Sequence, residues 1–207
     1  MKRQVLFIHG AEAFSKYEDL LRWLKTVPLE NPFAAEERPK NWKHTLEEEL
    51  GDEFELAFPS MPNKQNAKYE EWKIWFERHF EFLRDGVVLM GWSQGGYFLA
   101  KYLSENKMPV SVGILFLVAA PFEREDYGYE DGGDFAFDPA KLAHLAEQVR
   151  SVYIFHSKDD PIVPYTHAEK YKKALPAAEL VTFEDRGHFL TEEFPELIEY
   201  IQALPTL

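Results

Sequence analysis

Cysteine is absent from all 207 residues. That excludes disulfides, thiolate nucleophiles and cysteine-ligated zinc. Positive charge is scarce: 23 Lys and Arg stand against 36 Asp and Glu, a formal charge of −13. A phosphate backbone or an anionic membrane surface needs a positive footprint, so neither nucleic acid nor membrane is an expected partner. No apolar run approaches the roughly 18 residues of a membrane span. The opening "MKRQVLFIHG" has too short an apolar stretch for a signal peptide and reads as a first strand. A cytoplasmic protein is the expectation. There is also no low-complexity tract and no repeat at a fixed period.

What is present describes a compact chain. Hydrophobic residues make up 45% and aromatics 15%, enough at this length for one well-buried core, and a single domain over 1–207 is expected. Six short apolar runs occupy 4–10, 53–59, 86–93, 110–121, 151–158 and 179–185. Most are continuous rather than alternating, as strands covered on both faces should be. Helical patterns separate them, at 14–27, 66–83, 94–105, 139–147, 165–174 and 191–203. In 14–27, Tyr17, Leu20, Leu21 and Leu24 have core-facing spacing. In 66–83 the same holds for Tyr69, Trp72, Trp75, Phe76, Phe80 and Leu83. The alternation predicts an α/β fold of about six mostly parallel strands flanked by helices on both faces. Two segments exceed a minimal crossover, 28–50 and 121–138. The second follows a strand, where loops of such folds surround ligands. It reads equally as a small lid, one wall of a pocket, or an ordered surface insertion.

One stretch carries chemistry. In "VVLMGWSQGGYFLAKYL" (87–103) a strand-like run becomes a helix-like one around Gly91-Trp92-Ser93-Gln94-Gly95, a G-x-S-x-G pattern. A sharp strand-to-helix turn exposes the serine hydroxyl above the sheet, and small residues at 91 and 95 make room for the crossing. Ser93 is thus a candidate nucleophile, against the plainer reading of a turn that contains serine. A hydroxyl needs a base. Of the seven histidines, His44, His79, His144 and His167 lie in helical patterns, and His9 and His156 end strands. His188, in "EDRGHFLTEE" between the last strand and the final helix, stands on a loop beside Gly187 and Phe189 and is the expected base. The orienting acid comes from "HSKDDPIVP". Asp160, before the stiff Pro161–Pro164 loop, is preferred, while Asp159 suits a turn-holding bond. Two backbone N–H groups complete an oxyanion site: Gln94, after the nucleophile, and Ala11, with Glu12 as fallback, in the loop after the first strand. The Glu12 side chain is expected to face solvent or pair locally. Trp92, Phe14, Phe122, Tyr127 and Phe135 are candidates for an apolar acyl pocket, each with a core-packing alternative.

The first strand with "HG", then "GWSQGG", "HSKDDPIVP" and "GHF", together resemble the small α/β-hydrolases related to retinoblastoma-binding protein nine and the bacterial YdeN proteins. The likeness spans nearly the whole chain. It implies Ser93 as nucleophile, Asp160 as acid, His188 as base, a reduced hydrolase sheet and no large cap domain. The loop His9-Gly10-Ala11-Glu12-Ala13 departs from the "PGNGG"-like sequence of some members. Serine hydrolysis of a small-molecule carboxylic ester bearing an apolar group is the expected activity, with no cofactor and no metal. Two alternatives stay open: an amidase or peptidase using the same triad, and a binding protein on a hydrolase scaffold. No protein partner is indicated.

Overall fold

The computed structural model describes residues 2–29, 41–125 and 130–203. Six strands form one sheet: β1 (Arg3–Ile8), β2 (Phe54–Ala57), β3 (Val87–Trp92), β4 (Val112–Val118), β5 (Val149–Ser157) and β6 (Glu179–Phe183). Their spatial order is β2-β1-β3-β4-β5-β6, and all five neighbouring pairs are parallel. Every strand therefore ends on the same side, and the loops after β1, β3, β4, β5 and β6 gather there. The outermost strands, β2 and β6, are the short ones.

Among the described residues, seven helices connect or follow the strands: α1 (Tyr17–Thr26), α2 (Trp42–Leu50), α3 (Tyr69–Glu77), α4 (Gln94–Glu105), α5 (Leu142–Gln148), α6 (Thr166–Ala174) and α7 (Pro195–Gln202). The period-2 geometry of strands divides the core between the two faces. Leu6, Ile8, Leu89, Leu115, Leu117 and Ile154 pack with α3, α4, α5 and α6. Val5, Phe7, Val88, Met90, Phe116 and Phe155 pack with α2 and α7. This is one α/β domain with helices on both faces and, among the described residues, no large cap.

Three expectations need correction. In α1 only Leu20 is buried; Tyr17 is 65% exposed, Leu24 52% and Leu21 37%. The helical period marks an apolar face but not what that face meets. The run 66–83 divides into α3 and a short 3-10 turn, Phe80–Phe82, because His79 N–H bonds to the Phe76 carbonyl three residues back and tightens the chain. Trp75 turns outward, whereas Tyr69, Trp72 and Phe76 are buried as expected. In the final segment, Pro195 opens α7 as the first helical residue, so the helix starts four residues later than its pattern suggested. Segment 28–50 contributes α2 at its end, and its residues 30–40 lie outside the described residues.

Candidate active site

The turn from β3 into α4 places Ser93 at φ 53°, ψ −123°, a backbone conformation that costs a non-glycine residue about 1–3 kcal/mol. Two close approaches enforce it. A Cβ on Gly95 would lie 2.1 Å from the Ile8 carbonyl oxygen, and one on Gly91 would lie 2.5 Å from the Gly95 backbone. The helix start can come this near the sheet only where both residues lack side chains. Ser93 N–H is anchored to the Val118 carbonyl at 2.8 Å, which ties the elbow to β4.

Three loops then meet. Ser93 Oγ lies 2.9 Å from His188 Nε2, and His188 Nδ1 lies 2.8 Å from Asp160 Oδ2. In the neutral ring, Nδ1–H donates to the carboxylate and Nε2 is left to accept from the serine hydroxyl. The Asp160 side chain is fully buried. Its other oxygen accepts the N–H groups of Ile162 and Val163, at 2.8 and 3.0 Å, so the Pro161–Pro164 loop holds the carboxylate from behind. His156 supports that loop by donating Nε2–H to the Val163 carbonyl at 2.8 Å. Asp159 does something different: its Oδ1 accepts from Ser157 Oγ and, at 2.8 Å, from Gly187 N–H. It shapes the histidine loop without touching the imidazole.

On the β1 side, His9 fixes the chain. Met61 N–H donates to His9 Nε2 at 2.9 Å, so the ring proton resides on Nδ1 and donates to the Gly10 carbonyl at 2.7 Å. Burial lowers the His9 pKa, favouring this neutral form. Glu12 N–H is engaged by the Lys64 carbonyl at 3.0 Å, and Ala13 N–H by Glu130 Oε2 at 2.5 Å. Among the described residues, no acceptor takes the N–H of Ala11 or of Gln94, the first residue of α4.

Against this geometry, the sequence profile of the family described as Serine hydrolase matches residues 33–204. The chain belongs to the serine hydrolase family. It is 26% identical to Serine hydrolase RBBP9 of Rattus norvegicus over 155 residues, 74% of this chain and 79% of that protein. It is 24% identical to Putative hydrolase YdeN of Bacillus subtilis over 193 residues, 93% of this chain and 89% of that one. The crystal structure of the B. subtilis ydeN gene product superposes with a TM-score of 0.72 at 21% identity, covering 98% of each chain, which shows a shared fold.

In this serine hydrolase, Ser93 and His188 open into a cavity of about 640 Å³. Trp92 lines it. Phe14, Phe122 and Phe135 do not: they are buried, at 1%, 6% and 0% exposure. Phe135 packs on Tyr69, Trp72 and Phe98, and Phe122 on Tyr171 and Phe137, so burial in the helix-packed layer outcompetes the cavity for these rings. Tyr127 lies outside the described residues. The apolar walls come instead from Trp23, Pro28, Ile162 and Leu190. Ile162 and Leu190 stand beside Asp160 and His188 in sequence, which was their only signal.

The remaining wall is polar: Glu12, Lys64, Gln65 and Glu130. Glu12 thus faces the cavity rather than solvent, and burial raises its carboxyl pKa. Burial pushes Glu130 up further, to about 8, with the neighbouring Glu12 and Asp131 charges adding to the effect. No sequence feature separated Glu130 from the other acids of 121–138. No three-residue His, Asp or Glu cluster suited to a metal ion occurs, and no helix is long and apolar enough to cross a membrane, among the described residues.

Proposed function

We propose that this serine hydrolase cleaves a small-molecule carboxylic ester through an acyl-enzyme, with Ser93 as nucleophile, His188 as base and Asp160 as orienting acid. The observation that carries it is the continuous relay Ser93 Oγ to His188 Nε2 at 2.9 Å and His188 Nδ1 to Asp160 Oδ2 at 2.8 Å, on a serine held in the elbow conformation.

His188 takes the hydroxyl proton as Ser93 Oγ bonds to the ester carbonyl carbon. The resulting imidazolium is stabilised by the buried Asp160 carboxylate, which also fixes the tautomer. The oxyanion is received by the N–H groups of Gln94 and Ala11. Among the described residues neither has a protein acceptor, which supports this role, and the Glu12 N–H is already engaged by the Lys64 carbonyl. Collapse expels the alkoxide, which takes the proton from His188 and leaves as the alcohol. Water, deprotonated by the same imidazole, then attacks the acyl-enzyme and releases the acid. An apolar group of the substrate rests against Trp92, Ile162 and Leu190, and its polar portion meets Glu12, Lys64, Gln65 and Glu130.

The test is labelling by a fluorophosphonate probe, followed by assay on a panel of aryl esters and peptide amides. Wild type should label and turn over esters, and Ser93→Ala and His188→Ala should lose both. A folded wild type that neither labels nor turns over esters would sink the proposal. Turnover of amides faster than esters would redirect it to an amidase.

A further inference from the structure

Two tryptophans hold the loop that carries His188. Trp92 Nε1–H donates to the His188 carbonyl at 3.0 Å. Trp42, the first residue of α2, donates its indole N–H to the Phe189 carbonyl at 2.9 Å and its backbone N–H to the Thr191 carbonyl at 3.3 Å. The loop needs such anchors, because Phe189 sits at φ 54°, a left-handed conformation rare for a bulky residue.

Lys43 joins the two rings. Its Nζ lies 3.3 Å from the Trp92 ring centroid and 5.6 Å from that of Trp42. Asn41 Oδ1 accepts the Lys43 N–H at 3.1 Å, which fixes the start of α2 and the root of this side chain. No carboxylate pairs with the ammonium among the described residues. Titratable groups around it include His9, in the loop after β1, which feels the charges of both Lys43 and Lys64, and His188 across the Trp92 ring, whose imidazole lies 5.3 Å from that ring. Lys43 is half-buried, and burial lowers its pKa to about 8. An ammonium so placed is attracted by the indole face and draws electron density from it. An indole depleted in this way is a stronger N–H donor.

We propose that Lys43 is a positioning residue for His188: through Trp92 it strengthens the bond to the His188 carbonyl and keeps the imidazole in register with Ser93 Oγ. This rests on the Ser93–His188 reading given above. Lys43 does not line the cavity at Ser93, so the effect falls on the rate of serine attack and not on substrate affinity.

The experiment measures fluorophosphonate labelling rates and ester kcat and KM for wild type, Lys43→Met and Lys43→Arg between pH 6.5 and 9.5. Near pH 7 the Met variant should label about 3- to 10-fold more slowly, with kcat lowered in parallel and KM within about twofold. The ratio of wild-type to Met rates should fall toward one as Lys43 loses its proton around pH 8. Taking the ratio cancels steps from other groups, Glu130 included. The Arg variant, charged throughout, should match wild type at pH 7 and exceed it at pH 9.5. A Met-to-wild-type ratio of one at every pH, or a deficit that does not vary with pH, overturns the proposal. If Lys43→Met does not fold, the Arg comparison decides alone, and parallel wild-type and Arg profiles overturn it. Absence of labelling in folded wild type would instead strike the Ser93 reading itself.

Discussion

The two proposed oxyanion donors are held by opposite means. The Gln94 side is a steric lock: Gly91, Gly95 and the backbones of β1 and α4 leave no space for any other arrangement. The Ala11 side is suspended from polar bonds, through His9, the Lys64 carbonyl and the Glu130 carboxyl. A lock made of close backbone contacts does not depend on pH. A loop hung from a neutral histidine and a carboxyl that titrates near 8 does. One half of the site is set when the chain folds, and the other stays adjustable by protons.

The largest effect should come from breaking the lock. Gly95→Ala drives a methyl against the Ile8 carbonyl and should destabilise by about 3 kcal/mol or more, read as the shift of a urea midpoint. A variant as stable as wild type would refute the steric account. Next come the two aspartates of the β5 loop. Asp160→Asn should lower kcat by about 10³- to 10⁴-fold, as loss of the orienting acid does in a serine protease. Asp159→Asn keeps an acceptor oxygen for the Gly187 N–H and removes only its charge, so it should cost no more than about tenfold. Equal losses would mean that the acid is misassigned.

The suspended side gives smaller, pH-dependent effects. Glu130 has a folded pKa of about 8 against an ordinary 4.5, so between those values the folded state keeps a proton that the unfolded state has released. Stability drawn from this group is therefore greatest at low pH and declines as pH rises toward 8. Glu130→Gln lacks that decline, and its Tm should gain on wild type by about a few degrees between pH 5 and pH 8. A Tm difference independent of pH would reject the burial of this carboxyl. His9 has the opposite sign. Its folded pKa lies below 6.5, so its contribution is complete above 6.5 and lost as pH falls below that value. His9→Gln, which can still donate to the Gly10 carbonyl, should show a smaller drop in urea midpoint from pH 7 to pH 5 than wild type does. A drop as large as that of wild type would remove His9 from the account.

The same contrast explains what could be read from the sequence. Ser93, Asp160 and His188 each stand in a short local pattern with a mechanical cause: an elbow, a proline-stiffened loop, a glycine-flanked loop. Continuous apolar runs likewise exposed the parallel sheet. Glu130, Trp42 and Lys43 have no such pattern, because their roles arise where segments far apart in sequence come together. The period of α1 was visible, yet its apolar face remains exposed, since periodicity reports a face and not its neighbour. The aromatics of 121–138 misled for a related reason. Whether Phe122 and Phe135 meet a cavity or a helix depends on packing that composition does not encode.

The two edges of the sheet carry a further consequence. Open edge strands offer unpaired backbone groups to a second copy of the same chain. Here β2 is flanked by Asp52 and Glu53 and contains Glu55, while β6 begins at Glu179 and is followed by Glu184 and Asp185. Joining edge to edge would bring these acids together, three of them already paired with Lys2, Arg84 and Lys158, on a molecule at −13. The acidic balance that argues against a nucleic-acid partner thus also opposes the joining of two sheets edge to edge.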